Sequence, residues 1–199
     1  MYGMIRPMQF GRDRFEQFCF SHGFKIERKR AYHRTTDSRG VTRFDNLIAG
    51  FELTGVNQVW VSDITYYRIG ERFYYLTFIM DLFSRRIVGY AVSDNLMTGH
   101  TTLPAIRMAI AGRRPAPGLI FHSDGGGQYY CKEFVKLTQA CNMKNSMGTS
   151  VYENPNAERV NGTIKNSYVR FYGPENLSQL RQMTEKAVNM YNNYKPHTA

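Results

Sequence analysis

From residue 57 onward the chain alternates between short apolar-rich stretches and turn-like ones. QVWVSDITYY, RFYYLTFIM and RRIVGYAV are dense in β-branched and aromatic residues, the composition of strands with at least one buried face. RIGER and DLFSR separate them and are short enough for hairpin connections, so three consecutive antiparallel strands are predicted. The period then lengthens. Over 97–111, Leu103, Ile106, Met108 and Ile110 suit a helix that Pro115 and Pro117 stop. GLIFHS reads as a short buried strand, 130–141 as a helix, and 144–147 as a brief strand. Two helices close the chain, 155–171 and 177–193, parted by Gly173 and Pro174. This order of elements predicts one α/β unit around a mixed sheet.

Ahead of that unit, 12–22 reads as a short helix with Phe15, Phe18 and Cys19 on one side and Gly23 as its stop. Residues 25–43 form a basic connector. Lys25, Arg28, Lys29, Arg30, Arg34, Arg39 and Arg43 meet only Glu27 and Asp37, and few apolar residues interrupt them. Such a segment is either a plain solvated linker or an arm laid along a phosphate backbone, with Arg28, Lys29 and Arg30 as its candidate DNA contacts. The organisation predicted is a helical segment over 1–24, a basic linker over 25–56 and a folded core over 57–199.

Composition narrows the classes. In 199 residues, 42% are hydrophobic and 21% charged, which excludes a largely disordered chain. Lys and Arg outnumber Asp and Glu by 26 to 16, a net charge of +10 that favours a polyanionic partner, nucleic acid first. Three cysteines without a CxxC pair argue against both a disulfide scaffold and a zinc site, as expected of a reducing compartment. No apolar run approaches the roughly 20 residues of a membrane span, and the N-terminus MYGMIRPMQF lacks a secretory apolar stretch. A cytoplasmic protein with no membrane partner is expected.

Three acids stand out. Asp63 interrupts a strand pattern between Val61 and Ile64, where a carboxylate is costly to desolvate. Asp124 follows the apolar GLIFHS and precedes Gly125, Gly126 and Gly127, which let backbone approach a ligand and tolerate positive φ. Glu158 falls about one turn into a helix that Asn154 caps and Pro155 opens. At 100° per residue, Glu158, Gly162 and Lys165 share one sector of that helix, nearly opposite Val160, Ile164, Tyr168 and Phe171. Individually each acid also has a bland role: an edge carboxylate, a turn residue, a surface acid favoured by the helix dipole. Asp81 reads as a turn carboxylate paired to Arg85 or Arg86, and Trp60 as packing.

Together with their flanking words the acids are more specific. At WVSDITYY, HSDGGGQYY and ENPNAERVNGTIKNSY the sequence resembles the catalytic core of bacterial insertion-sequence transposases of family three, the OrfB-type relatives of retroviral integrases. DLFSRRIVGYAV and MYNNYKPH extend the likeness over roughly 56–197. The resemblance implies a ribonuclease-H-like fold, an α/β mixed five-stranded sheet flanked by helices. It also implies a DDE triad of Asp63, Asp124 and Glu158, both catalytic and metal-binding. Between Asp124 and Glu158 stand 33 residues, two fewer than the family usually has. The shortfall falls in GTSVYENPN, a predicted loop, where it should leave the helix and its acid in place. The family normally runs on past KPHTA, and residues 12–34 look like the last part of an upstream DNA-binding region. End recognition by this chain alone is therefore not expected.

What the resemblance implies agrees with the chemistry. Phosphodiester cleavage and strand joining need an activated water or 3′-hydroxyl and stabilised charge on phosphorus, which two divalent ions roughly 3.5–4 Å apart supply. Three hard carboxylates suit Mg²⁺ or Mn²⁺. The expected partners are DNA, as element ends and target, and further copies of the chain, in a nucleoid-associated bacterial setting without a small-molecule substrate. Lys165, Gln128, Tyr129 and Asn161 are candidate DNA contacts around the triad, though Lys165 could equally be solvated and Tyr129 core. A nuclease of the same fold and an inactive DNA-binding relic stay open as alternatives.

Overall fold

The computed structural model describes residues 12–24, 44–148 and 154–195, which belong to two compact units, Met1–Asp37 and Ser38–Ala199. In the first unit α1 spans Arg12–Ser21 and ends at Gly23, whose φ of +70° is the left-handed stop the sequence predicts. The Phe18 and His22 rings stack along it at 4.1 Å, and Phe18, Phe20 and Phe24 are exposed. Arg28, Lys29 and Arg30 lie outside the described residues.

The second unit is built on the five strands that the patterning predicts: β1 (Val59–Ile69), β2 (Arg72–Asp81), β3 (Ile87–Ser93), β4 (Ile120–Ser123) and β5 (Lys144–Met147). Their order across the sheet is β3-β2-β1-β4-β5. The β1–β2 and β2–β3 pairs are antiparallel hairpins, whereas β4 runs parallel to β1 and β5 parallel to β4. β4 therefore needs a crossover, which α2 (Thr102–Arg113) supplies. After β4 come α3 (Gly127–Tyr130) and α4 (Lys132–Ala140); after β5 come α5 (Pro155–Thr163), a π-helical stretch Ile164–Val169, α6 (Arg170–Tyr172) and α7 (Leu177–Tyr194).

The alternation in β1 sorts side chains onto two cores. Val59 and Val61 join Leu76, Phe78 and Met80 beneath Val160, Ile164, Leu180 and Ala187 of the later helices. Trp60 and Ile79 turn the other way, onto Ile106, Ala109, Phe121 and Phe134. Trp60 is fully buried, as expected for packing, and its indole donates to Asn57 Oδ1 at 3.2 Å. On this face α2 lies almost on β3. A Cβ on Gly89 would sit 2.2 Å from the Ala105 carbonyl and 3.0 Å from Ala109 Cβ, so only glycine allows the approach.

Three boundaries differ from the sequence reading. α2 starts at Thr102 rather than 97, because Asn95 Oδ1 and the Met97 carbonyl hold a turn there, accepting from Met97 N–H and Thr101 Oγ1. Part of the expected linker packs on the second unit: Leu47 N–H donates to Ser146 Oγ, Met147 N–H to the Asp45 carbonyl, and Ile48 and Leu53 lie against the core. The helix expected over 155–171 is interrupted by the π stretch. One extra residue per turn there shifts the apolar phase, so Val169, five after Ile164, takes the buried position. Phe171, expected on the apolar face, is instead 84% exposed.

Candidate active site

Asp63 lies on the β1 face that carries Val59 and Val61, just beyond the last buried valine, so it points toward α5 from the end of the apolar row. Ser62 pairs with Ser123 across the parallel β1–β4 ladder. Asp63 and Asp124 are each the next residue, which sets two carboxylates side by side where β4 ends. Asp124 Oδ1 accepts from Gly126 N–H at 3.1 Å, and a Cβ on Gly126 would lie 3.0 Å from that same oxygen. Gly126 has φ −65°, so what it supplies is close approach to Asp124 rather than the positive φ expected of the glycine run.

α5 brings the third acid. Glu158 occupies its first turn, exposed, behind Pro155. Asn154 stands at the cap position but does not cap. It is 6% exposed, and its Nδ2 donates to the Ser62 carbonyl at 2.8 Å, pinning the helix start to β1 one residue before Asp63. Two turns later Asn161 Nδ2 donates to Asp63 Oδ2 at 2.8 Å, and one turn beyond that Lys165 Nζ reaches Thr65 Oγ1 at 3.2 Å. Asn154, Asn161 and Lys165 thus form a polar ladder along β1 that fixes α5 over the two aspartates. The Oδ1 atoms of Asn154 and Asn161 are buried without a hydrogen-bond partner.

Electrostatically the three acids act on one another. Burial pushes the Asp63 carboxyl up to about 7, the Asp124 charge pushes the same way, the Ile64 N–H opposes, and Glu158 adds a smaller push. Asp124 is also raised, chiefly by desolvation, although it is open to solvent. Desolvation and the Asp124 charge raise Glu158 too. Burial lowers the Lys165 ammonium, and the Asp63 charge holds it up. Among the described residues no three His, Cys, Asp or Glu side chains stand as a ready-made metal cage.

The other sequence candidates fall in different places. Asn161 is 4% exposed and spends its amide on Asp63, so it reaches a carboxylate rather than a DNA strand. Tyr129 is also 4% exposed; its ring packs on Phe121 and Phe134, and its hydroxyl shares a 2.9 Å hydrogen bond with Ser62 Oγ. That is the core alternative for this residue, on the sheet face away from α5. Gln128 is half-buried and donates to the Leu96 carbonyl at 3.2 Å. Asp81 is fully buried, and its oxygens accept from Ser84 and from Asn57 N–H, not from the guanidinium groups expected. The turn after β2 satisfies that carboxylate locally and leaves Arg85 and Arg86 for other work. The Asn154 anchor was missed because its partner is a backbone carbonyl on another element, which no local spacing reveals.

The integrase core domain family matches residues 54–151, and a second integrase core domain family matches residues 139–199. Over 193 residues the chain is 32% identical to the insertion element IS600 uncharacterized 31 kDa protein of Shigella sonnei, covering 94% of this chain and 71% of that one. It is 33% identical to the transposase for insertion sequence element IS629 of Shigella sonnei (80% of this chain, 54% of that one). It is 32% identical to transposase InsF for insertion sequence IS3A of Escherichia coli (64% and 45%). The chain thus spans about half the length of these two transposases. Among solved structures it resembles the HTLV-2 integrase catalytic core domain in complex with magnesium, at 24% identity and TM-score 0.58, over 72% of this chain and 91% of that one. It also resembles a chain of the simian T-cell lymphotropic virus intasome in complex with PP2A regulatory subunit B56 gamma, at 21% identity and TM-score 0.62, over 80% and 54%. At those identities the likeness is one of fold, and the fold is the ribonuclease-H-like one expected.

Proposed function

The chain belongs to the insertion-sequence transposases of the IS3 family with an integrase-like core, and on that premise we propose that Asp63, Asp124 and Glu158 are its catalytic carboxylates. The observation that carries the reading is their electrostatic coupling across three separate elements, β1, the end of β4 and the first turn of α5. The reaction is that of a polynucleotidyl transferase in DNA transposition: cleavage at the element's ends and joining of the 3′-hydroxyls to a second strand.

The donor set fits divalent metal. Three mutually repelling carboxylates, each raised above its ordinary pKa, present hard oxygens whose charge a Mg²⁺ or Mn²⁺ would balance. Asp63, Asp124 and Glu158 would hold the ions, two in this proposal. Bound there, such ions lower the pKa of the attacking oxygen and neutralise charge building at phosphorus. The chain's own residues supply the alignment. Ile64 N–H and Asn161 fix the two oxygens of Asp63, Gly126 N–H fixes Asp124, and Asn154 holds the helix start that carries Glu158. Rigid placement of this kind keeps a ligand set within the tolerance that catalysis needs. Lys165, half-buried beside Asp63, is placed to meet a phosphate that approaches the carboxylates. The substrate is DNA, met by a homo-oligomer in the bacterial cytoplasm; among the described residues no helix is long and apolar enough to cross a membrane.

The test is a strand-transfer assay with the element's own terminal DNA, in Mg²⁺ and in EDTA. Glu158→Gln should lower the rate roughly a thousandfold or more while folding persists. Glu153→Gln, just ahead of Asn154, should be nearly silent. Activity that survives Glu158→Gln and vanishes in Glu153→Gln would overturn the assignment.

A further inference from the structure

On the opposite flank of α5 from Asp63, cations converge. Arg85, at φ +59° in the turn between β2 and β3, donates through Nη1 to Asn156 Oδ1 on the first turn of α5. Lys195, just past the end of α7, sits with its ammonium 5.0 Å from the centre of the Tyr191 ring. Arg159 and Asn156 are three apart and share one side of α5, about 100° and 160° round from Glu158. Burial raises the Tyr191 hydroxyl while the charges of Arg85 and Arg159 oppose it, and burial lowers the Lys195 ammonium with Arg159 adding to it as a neighbouring like charge does. Asn156 and Tyr191 are neutral. Among the described residues no carboxylate ion-pairs with any of the three, although the chain does pair cations where an acid is near, as Arg68 with Glu71 at 2.8 Å.

The neighbouring Arg86 is used differently. It donates to the Asn192 carbonyl and to Asn193 Oδ1 at the end of α7, which fastens the turn and fixes where Arg85 points. Three like charges held together raise the folding free energy unless an anion joins them. The positive end of the α5 dipole adds to their potential.

We propose that Arg85, Arg159 and Lys195, gathered with Asn156 around Tyr191, form a second phosphate-binding site that grips the DNA backbone a few nucleotides from the phosphate presented to the carboxylates. This rests on the transposase reading above, because α5 then offers one flank to the reacting phosphate and the opposite flank to a neighbouring one. The planar guanidiniums suit phosphate oxygens. No base is read there, so the grip is independent of sequence.

The experiment is fluorescence anisotropy of a labelled 20-base-pair duplex of arbitrary sequence with the full chain, in EDTA, across a salt series. Log affinity falls against log salt with a slope of about −0.9 per phosphate neutralised. The Arg159→Gln/Lys195→Gln variant should flatten that slope by about one to two units and weaken binding, and Arg159→Gln alone by about one. Arg113→Gln/Arg114→Gln removes the same charge from the end of α2, on the other sheet face, and should leave the slope near wild type. Thermal melts check that each variant is folded. Unchanged slopes, an equal effect of the α2 control, or a change in oligomeric state without a change in slope would each overturn the site. Asp63→Asn separates the two readings: it should stop cleavage and leave the slope intact. A wild type that does not cleave, with the Arg159→Gln/Lys195→Gln variant still flattening the slope, would overturn only the carboxylate assignment.

Discussion

Replacing Asp63 by Asn should stabilise the metal-free protein, by an amount that grows with pH. Burial, Asp124 and Glu158 together carry the Asp63 carboxyl from 3.8 to about 7. A rise of about 3 units, at about 1.36 kcal/mol each, is about 4 kcal/mol of folding free energy set against the ionised form. Below the unfolded value the group is protonated in both states and its ionisation costs nothing. Between there and about 7 the unfolded chain has released a proton that the folded chain keeps, so stability falls as pH rises. Above about 7 the whole cost is present. An amide at this position has no charge to desolvate; its single oxygen can still accept from Ile64 N–H, and its Nδ2 can donate to Asn161 once that amide turns its unpartnered Oδ1 toward it. Urea unfolding in EDTA should show D63N more stable than wild type, with the gap widening by about 2–3 kcal/mol between pH 5 and pH 8. A gap that is the same at both pH values would refute the reasoning, because desolvation of a carboxylate must appear as pH dependence.

Gly89→Ala should lower stability by about 1–3 kcal/mol or more in thermal or urea unfolding, since its new carbon would meet the Ala105 carbonyl at 2.2 Å. Val169→Ala should cost about 1.5–3 kcal/mol, whereas Phe171→Ser should be nearly neutral; the reverse order would remove the phase shift attributed to the π-helical stretch. Asn161→Ala should slow cleavage at saturating DNA with little change in DNA affinity, because it frees a carboxylate rather than a DNA contact. A matching loss of affinity would return Asn161 to the DNA-binding surface.

How much of this was legible in the sequence depends on whether the cause is local. The first four strands are, because each alternates or runs apolar over a length that a sheet with two covered faces satisfies, whereas β5 (KNSM) carries no such pattern. The cost of Asp63 is also legible, as a carboxylate set into a row of buried valines. What the residues around Asp63 do is not. Asn154 reads as a cap and Asn161 as a DNA contact from helix position alone, yet both amides are claimed by β1, and only the packed helix shows it. The π-helical stretch is invisible for a similar reason: nothing in IKNSYV demands it, and the core of Leu180 and Ala187 takes Val169 and leaves Phe171 outside. Gly126 shows a third case. The glycine run announces closeness or positive φ, and the neighbouring carboxylate decides for closeness.

The central claim is that Asp63, Asp124 and Glu158 jointly hold divalent metal, and a Mn²⁺ titration followed by electron paramagnetic resonance tests it most directly. Bound ions quench the free-Mn²⁺ signal, so binding is counted without any DNA chemistry. At pH 8, where the carboxylates are free to ionise, the wild-type chain should bind Mn²⁺. Asp63→Asn and Asp124→Asn should abolish that binding, and Glu158→Gln should weaken it. Variants that bind as the wild type does would contradict the account.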